Sequence, residues 1–211
     1  MTAKAKTVLS LIINGVILLV TTGVMISYFI SPGELIENGW DSFKFFTTDS
    51  NVLAAVGCGA VAVCDILMLK KKINKIPHAV ILLKYMGVIG LMLTFFTVLV
   101  LLVPAYGVAL EYGGTGFHMH LSAPVAAFLS LVLLDGERNI TLAQTPLGLV
   151  PVVFYGVFYM MQVVVLCNWW DFYLFNQGGM WYVTMPVIIA LSYGMCLLVR
   201  LLYNRKRRRQ R

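Results

Sequence analysis

Five polar side chains stand in a row at Thr47, Thr48, Asp49, Ser50 and Asn51, immediately before an apolar run that begins at Val52. Two imidazoles, His118 and His120, open another apolar run in the stretch GFHMHLSAP. Threonine hydroxyls, a carboxylate and imidazoles are the parts of a nucleophilic site. An imidazole can take the hydroxyl proton as the oxygen attacks an ester carbonyl. Asp49 could orient the histidine or stabilise its charged form, as the acid of a triad does. Helix-start amides near Ser50 and Asn51 could donate to the oxyanion. Asn51 and His118 are further candidates in the same two clusters.

The same residue types also make helix caps, and TTDSN before an apolar run has the composition of a capped helix start. Caps are the commoner arrangement, but a single cap residue suffices and here five polar residues follow one another. Similarly, Pro124 after HLSA could kink its helix, with His120 satisfying the carbonyls so freed. On a helix, residues two apart point about 200° away from each other. His118 and His120 therefore face opposite ways, and His120, the deeper of the two, is expected to face inward. His78 belongs to the other end of the bundle, which disfavours a three-histidine metal site. No metal or cofactor is expected.

The elements that must hold these residues are membrane helices. The chain has 211 residues, 60% of them hydrophobic and 12% charged, with a mean hydropathy of +0.85. Soluble domains carry about a quarter charged residues. A water-soluble fold of this size could not hide so much apolar surface. Apolar runs recur near 7–30, 48–69, 79–103, 117–134, 147–168 and 180–203. Each meets the roughly 17–25 residues that a spanning helix needs. The expected fold is all-α: a single domain, residues 1–211, forming a bundle of six transmembrane helices joined by short loops. The first run is too long for a signal-peptide core, and FISPGELIE offers no small-x-small cleavage site, so it is read as a retained span.

Charge orients the bundle. Lys4, Lys6, the lysines at 70–72 and 75, Arg138 and the basic tail 204–211 all fall on one side. Glu34, Glu37, Asp41, Glu111 and Asp171 fall on the other, with Lys44 the only cation near a helix end. By the positive-inside rule both termini are cytoplasmic. The net charge of +7 comes from these cytoplasmic ends. The tail is read as an anchor beside anionic headgroups rather than a nucleic-acid site. Span counting then brings Thr47–Asn51 and His118–His120 to the same outer depth.

Other polar residues at membrane depth have simpler readings. Lys84 could snorkel to the cytoplasmic surface or pair with Asp65, and Gln162 is expected to bond between helices. The cysteines Cys58, Cys64, Cys167 and Cys196 are read as apolar fillers inside spans. The stretch WWDFYLFNQGG reads as an aromatic belt of Trp169, Trp170, Phe172, Tyr173 and Phe175. A belt has no use for Asp171 and Asn176, which makes them secondary site candidates.

The segments FKFFTTDSNVLAA and HMHLSAP resemble the corresponding segments of the androgen-induced and androgen-dependent-TFPI-regulating membrane proteins. In that family the catalytic threonine follows a Lys–aromatic–apolar triplet, here Lys44, Phe45 and Phe46, which implies Thr47 as nucleophile. The second histidine of the family's pair is catalytic, which implies His120 as its base. Bacterial-type members are similar in F-T-x-x-S-N, H-L-x-x-P and a late WDFYxFNxGGxW stretch. The spacing between the histidines, and from His120 to the proline, is one residue shorter here than in the animal proteins. Thr48 is a second candidate nucleophile. The resemblance implies a multi-pass threonine hydrolase of fatty-acid esters in the cell membrane, with membrane lipids and a lipid-like ester as partners. The alternative is a non-catalytic bundle that binds lipid or a small molecule, or a small transporter.

Overall fold

The computed structural model describes residues 2–31, 38–136 and 138–208. Glu34, Glu37, Arg209 and Arg211, assigned above to the two sides of the membrane, lie outside the described residues. The described residues are helical, with no strand among them. Five helices are long and apolar enough to cross a membrane: α1 (Ala3–Ile30), α2 (Phe46–Leu69), α3 (His78–Tyr106), α5 (Thr145–Val165) and α6 (Trp181–Arg208). The chain is an integral membrane protein. A shorter apolar helix, α4 (His118–Leu133), lies between α3 and α5 in sequence. Its five residues of π-helix and eleven of α-helix reach about 24 Å at ~1.5 Å per residue, short of a ~30 Å hydrocarbon core.

Small residues set the register of the first helices. A side chain at Gly57 would collide with the Lys84 backbone, and one at Gly87 with the Ala54 backbone. Going up α2 therefore means going down α3, and the two pack backbone to backbone, as small residues allow. Leu18 against Gly59 and Ser10 against Asp65 run α1 antiparallel to α2 in the same way. The C-terminal end of α4 meets Lys84 near the start of α3, so α4 is antiparallel to α3. Gly148 opposite Cys196 and Gly156 opposite Met185 make α5 and α6 antiparallel. One end of the bundle thus gathers the start of α2, the end of α3, the start of α4 and the end of α5. Large apolar side chains such as Leu19, Phe154, Val165 and Leu191 stand outward, where lipid covers them.

Three widened π-turns, Val98–Leu102, His118–Ser122 and Met161–Val165, lie at that same end. Two of them immediately precede a helical turn containing proline, Pro104 and Pro124. Proline lacks the N–H that would continue the ladder, and the turn before it relaxes.

The opposite end is held by buried polar groups. Lys84 is fully buried and pairs with Asp135, which sits just beyond α4; it does not snorkel. Its ammonium also donates to Asn14 and, at 2.8 Å, to Ser130. Asp65 is not its partner: Ser10 bridges Asp65 and Asp135 at 2.6 and 2.9 Å. An ammonium in a dry interior needs a carboxylate and full hydrogen bonding; Asp135 supplies the first, and Asn14 and Ser130 complete the second. Gln162 likewise departs from expectation. It bonds locally, accepting from Asn168 at 3.0 Å where α5 ends. Of the cysteines, Cys58, Cys64 and Cys196 are buried, whereas Cys167 is exposed past the end of α5.

Candidate active site at one end of the bundle

The polar run Thr47–Asn51 is not a cap. Helix α2 starts at Phe46, and its N-cap residue, Phe45, makes no side-chain cap hydrogen bond. The five residues lie inside the first turns, where the side chains of Ser50 and Asn51 bond across the bundle. Ser50 shares a hydrogen bond with Thr94 of α3 at 3.1 Å. Asn51 donates to the Thr47 carbonyl at 2.8 Å and to the Met119 carbonyl of α4 at 3.0 Å. Asn51 thus ties the segment carrying Thr47 to the segment carrying His120. The amides of Ser50 and Asn51 lie past the four orphan donors of a helix start, so the helix ladder takes them. They are not available to an oxyanion.

The helix is capped from a distance. The Tyr173 hydroxyl accepts from the Phe46 amide at 2.8 Å. Tyr173 and Phe172 are buried, each 6% exposed, and so do not belong to an interfacial belt. Trp170, 60% exposed, fits one. Asp171 builds the turn that delivers Tyr173. Its carboxylate accepts from Tyr159 at 2.7 Å, the Phe175 amide at 2.9 Å and the Asn176 amide at 2.7 Å. Asp171 and Asn176 are scaffold for that turn, and neither borders the two cavities that Thr47 lines. Burial pushes the Tyr173 phenol up to about 12, while the Thr47 hydroxyl and the amides of Thr47 and Phe46, all facing its oxygen, pull the other way.

The two histidines separate as their spacing predicts. His118 turns toward α1, where Nε2 meets the Thr21 hydroxyl at 3.0 Å, while Nδ1 meets the hydroxyl of Ser122 in its own helix at 3.1 Å. His120 turns the other way. Its Nδ1–H donates to the Glu111 carbonyl at 2.6 Å, and the Glu111 carboxylate lies 3.5 Å from the same nitrogen. A carbonyl can only accept, so Nδ1 carries a proton, and in the neutral ring Nε2 is the nitrogen with the lone pair. The carbonyl it binds belongs to a separate short helix, Val108–Tyr112, and not to α4. His120 is therefore not mending the ladder around Pro124. Asp49 takes no part in orienting it: among the described residues its side chain makes no hydrogen bond, and it borders neither of the two cavities at this end. Glu111 fills that place, and burial pushes its carboxyl above the usual range.

Thr47, Thr48, Glu111 and His120 border one cavity of about 670 Å³, with Tyr28, Tyr106 and Tyr173 around them. Thr47 and His120 are not hydrogen-bonded to each other; the cavity is the space they share. Thr47 also borders a second, narrow cavity, which Thr48 does not reach. Among the described residues no three His, Cys, Asp or Glu side chains come together as a metal site requires. Tyr173 and Glu111 are the residues that sequence reasoning missed. Each joins the site through contacts with residues remote in sequence or through backbone atoms, which leave no local pattern. No protein family, curated protein or solved structure matches the chain in comparison.

Proposed function

We propose that this protein hydrolyses lipid esters, with Thr47 as nucleophile and His120 as general base. The observation that carries this is a single cavity bordered by Thr47 and by an imidazole whose Nδ1–H is held by the Glu111 carbonyl, which leaves Nε2 as the basic nitrogen of the neutral ring. An ester in the cavity would bring its carbonyl carbon to the Thr47 oxygen. The hydroxyl proton passes to Nε2 as the Thr47 oxygen bonds to that carbon. The alcohol then leaves with the proton from the imidazolium, and an acyl-threonine remains. Water attacks the acyl carbon, gives its proton to Nε2, and the acid departs as Thr47 is restored. The Tyr173 hydroxyl, beside Thr47, is the donor best placed for the oxyanion. The Glu111 carboxylate steadies the imidazolium.

The rest of the reading follows from charge and from the resemblance. Helix α4 serves as a sixth span, both termini are cytoplasmic, and the cavity faces the outer leaflet of the cell membrane. The short motifs around Thr47 and His120 support membership of the threonine-hydrolase superfamily they resemble. A non-catalytic lipid-binding role is the second reading, favoured by the lack of a hydrogen bond between Thr47 and His120. Transport is disfavoured, since the larger cavity is bordered by residues from one end of the bundle.

Labelling of the purified protein with a fluorophosphonate probe separates the two readings. The hydrolase labels, and Thr47→Ala and His120→Ala abolish the signal while Thr48→Ala retains it. Folded wild type that never labels would leave the lipid-binding role.

A further inference from the structure

The second cavity lies between α3, α5 and α6, walled by Leu93, Val98, Val152, Gly156, Met185 and Ile188. Its volume is about 40 Å³, against about 670 Å³ for the larger one. A single water needs ~10–15 Å³ in this measure, so the slot has room for one file of atoms, and apolar walls keep such a space dry. Two of the hydroxyls along it are already committed: Thr94 to Ser50 at 3.1 Å and Tyr155 to the Lys44 carbonyl at 2.6 Å. Thr47, Tyr173 and Leu102 border both cavities and form the partition between them. The nucleophile of the proposed reaction thus stands where a thin apolar slot meets a wide chamber that also carries the polar side chains of Thr48, Glu111 and His120.

We infer that the slot holds the acyl chain of the ester, unbranched and in single file, while the wide cavity takes the alcohol part. This rests on the hydrolase reading for the ester linkage, but the chain site itself is testable without catalysis. An apolar slot running among membrane helices suits a hydrocarbon chain, and its end at the Thr47 hydroxyl suits the carboxyl carbon. Gly156 controls the width. A side chain added there would meet the thioether end of Met185. That end is flexible, so the helices would tolerate the change while the slot closed.

The test uses the full-length protein in phosphatidylcholine nanodiscs. Straight-chain octanoic, dodecanoic and hexadecanoic acids bearing a terminal diazirine are photolysed, and adducts are mapped by mass spectrometry. Wild type is expected to carry adducts on Met185 and its slot neighbours. Gly156→Leu, from α5, and Ile188→Phe, from α6, should each cut them about tenfold, the effect of losing roughly two buried methylenes. Adducts on lipid-facing Phe154 and Leu191 should not change, and Thr47→Ala should keep the slot adducts. Adducts confined to lipid-facing residues, or slot adducts indifferent to both variants, would overturn the inference. Slot adducts without fluorophosphonate labelling would sink the hydrolase reading alone. Thr47-dependent labelling without slot adducts would sink the slot alone.

Discussion

The Tyr173 hydroxyl accepts a hydrogen bond at 2.8 Å from the Phe46 amide, 127 residues away in the chain. This bond caps α2 and leaves the Thr47 side chain free of capping duty. It also brings a phenolic O–H beside a candidate nucleophile. Helix starts leave orphan N–H groups that something must satisfy. Here a loop between the last two long helices does so, and the loop is itself held by Asp171. The site's geometry therefore depends on the late WDFYLFN stretch as much as on the threonines.

Tyr173→Phe tests that dependence. Loss of a cap costs roughly 1 kcal/mol, so thermal unfolding in detergent should shift down modestly. Fluorophosphonate labelling should fall about a hundredfold, as for removal of an oxyanion donor. Because burial holds the phenol near 12, Tyr173 stays protonated through the working range and adds no limb to the pH profile. Labelling at the wild-type rate in a folded variant would restrict Tyr173 to its capping role.

Glu111→Gln separates stability from chemistry. Burial raises the Glu111 carboxyl above its ordinary 4.5, so the native state binds this proton more tightly than the unfolded chain does. The ionised form therefore destabilises the native state at neutral pH, and the cost fades as pH falls through the raised value toward 4.5. The glutamine variant should melt higher than wild type at neutral pH and equally at pH below 4.5. Its hydrolysis should be about tenfold slower, since the carboxylate that steadies the imidazolium is gone. Its rate should also lack the gain that wild type shows as Glu111 ionises. A variant no more stable than wild type at neutral pH would contradict the burial argument.

What could be read from the chain, and what could not, divides along contact range. Apolar runs of spanning length are a local property, and they marked out the five long helices to within a few residues. Two-residue spacing on a helix is also local, and it separated His118 from His120. Capping looked local and was misleading: TTDSN has cap composition, but α2 begins one residue before Thr47 because a remote tyrosine satisfies its first amide. Lys84 was equally opaque. A lysine near a span end snorkels unless a carboxylate meets it, and Asp135 follows a helix distant in sequence. Glu111 reaches His120 first through its backbone carbonyl, which no side-chain pattern reports.

Lys84→Met probes the far end of the bundle. It leaves Asp135 buried opposite an apolar side chain, the kind of change that costs about 3–5 kcal/mol. The double variant Lys84→Met, Asp135→Asn removes both charges and should recover at least half of that loss. Thermal unfolding of the two variants and of Asp135→Asn alone forms the cycle. Additive losses would mean that the pair is not coupled. Fluorophosphonate labelling of whatever fraction remains folded should match wild type, because this network lies at the opposite end from Thr47.

Asn51 is the link between the two halves of the site, and its substitution should be felt in rate more than in binding. Its amide donates to the carbonyls of Thr47 and Met119, which fixes the amide's orientation, and its Oδ1 is buried without a partner. Asn51→Asp keeps the shape but replaces two donors with acceptors facing two carbonyls. Asn51→Leu keeps the volume and leaves the Met119 carbonyl unmet, whereas the Thr47 carbonyl still accepts from Ser50 at 3.1 Å. Unmet buried groups cost about 1–3 kcal/mol, and a buried charge costs more, so the expected order of stability is wild type, then leucine, then aspartate. In the leucine variant α2 and α4 lose their tether. Thr47 and His120 then keep the cavity but lose their register, which lowers kcat about tenfold with KM nearly unchanged. A rise in KM at constant kcat would instead place Asn51 among the groups that hold the ester.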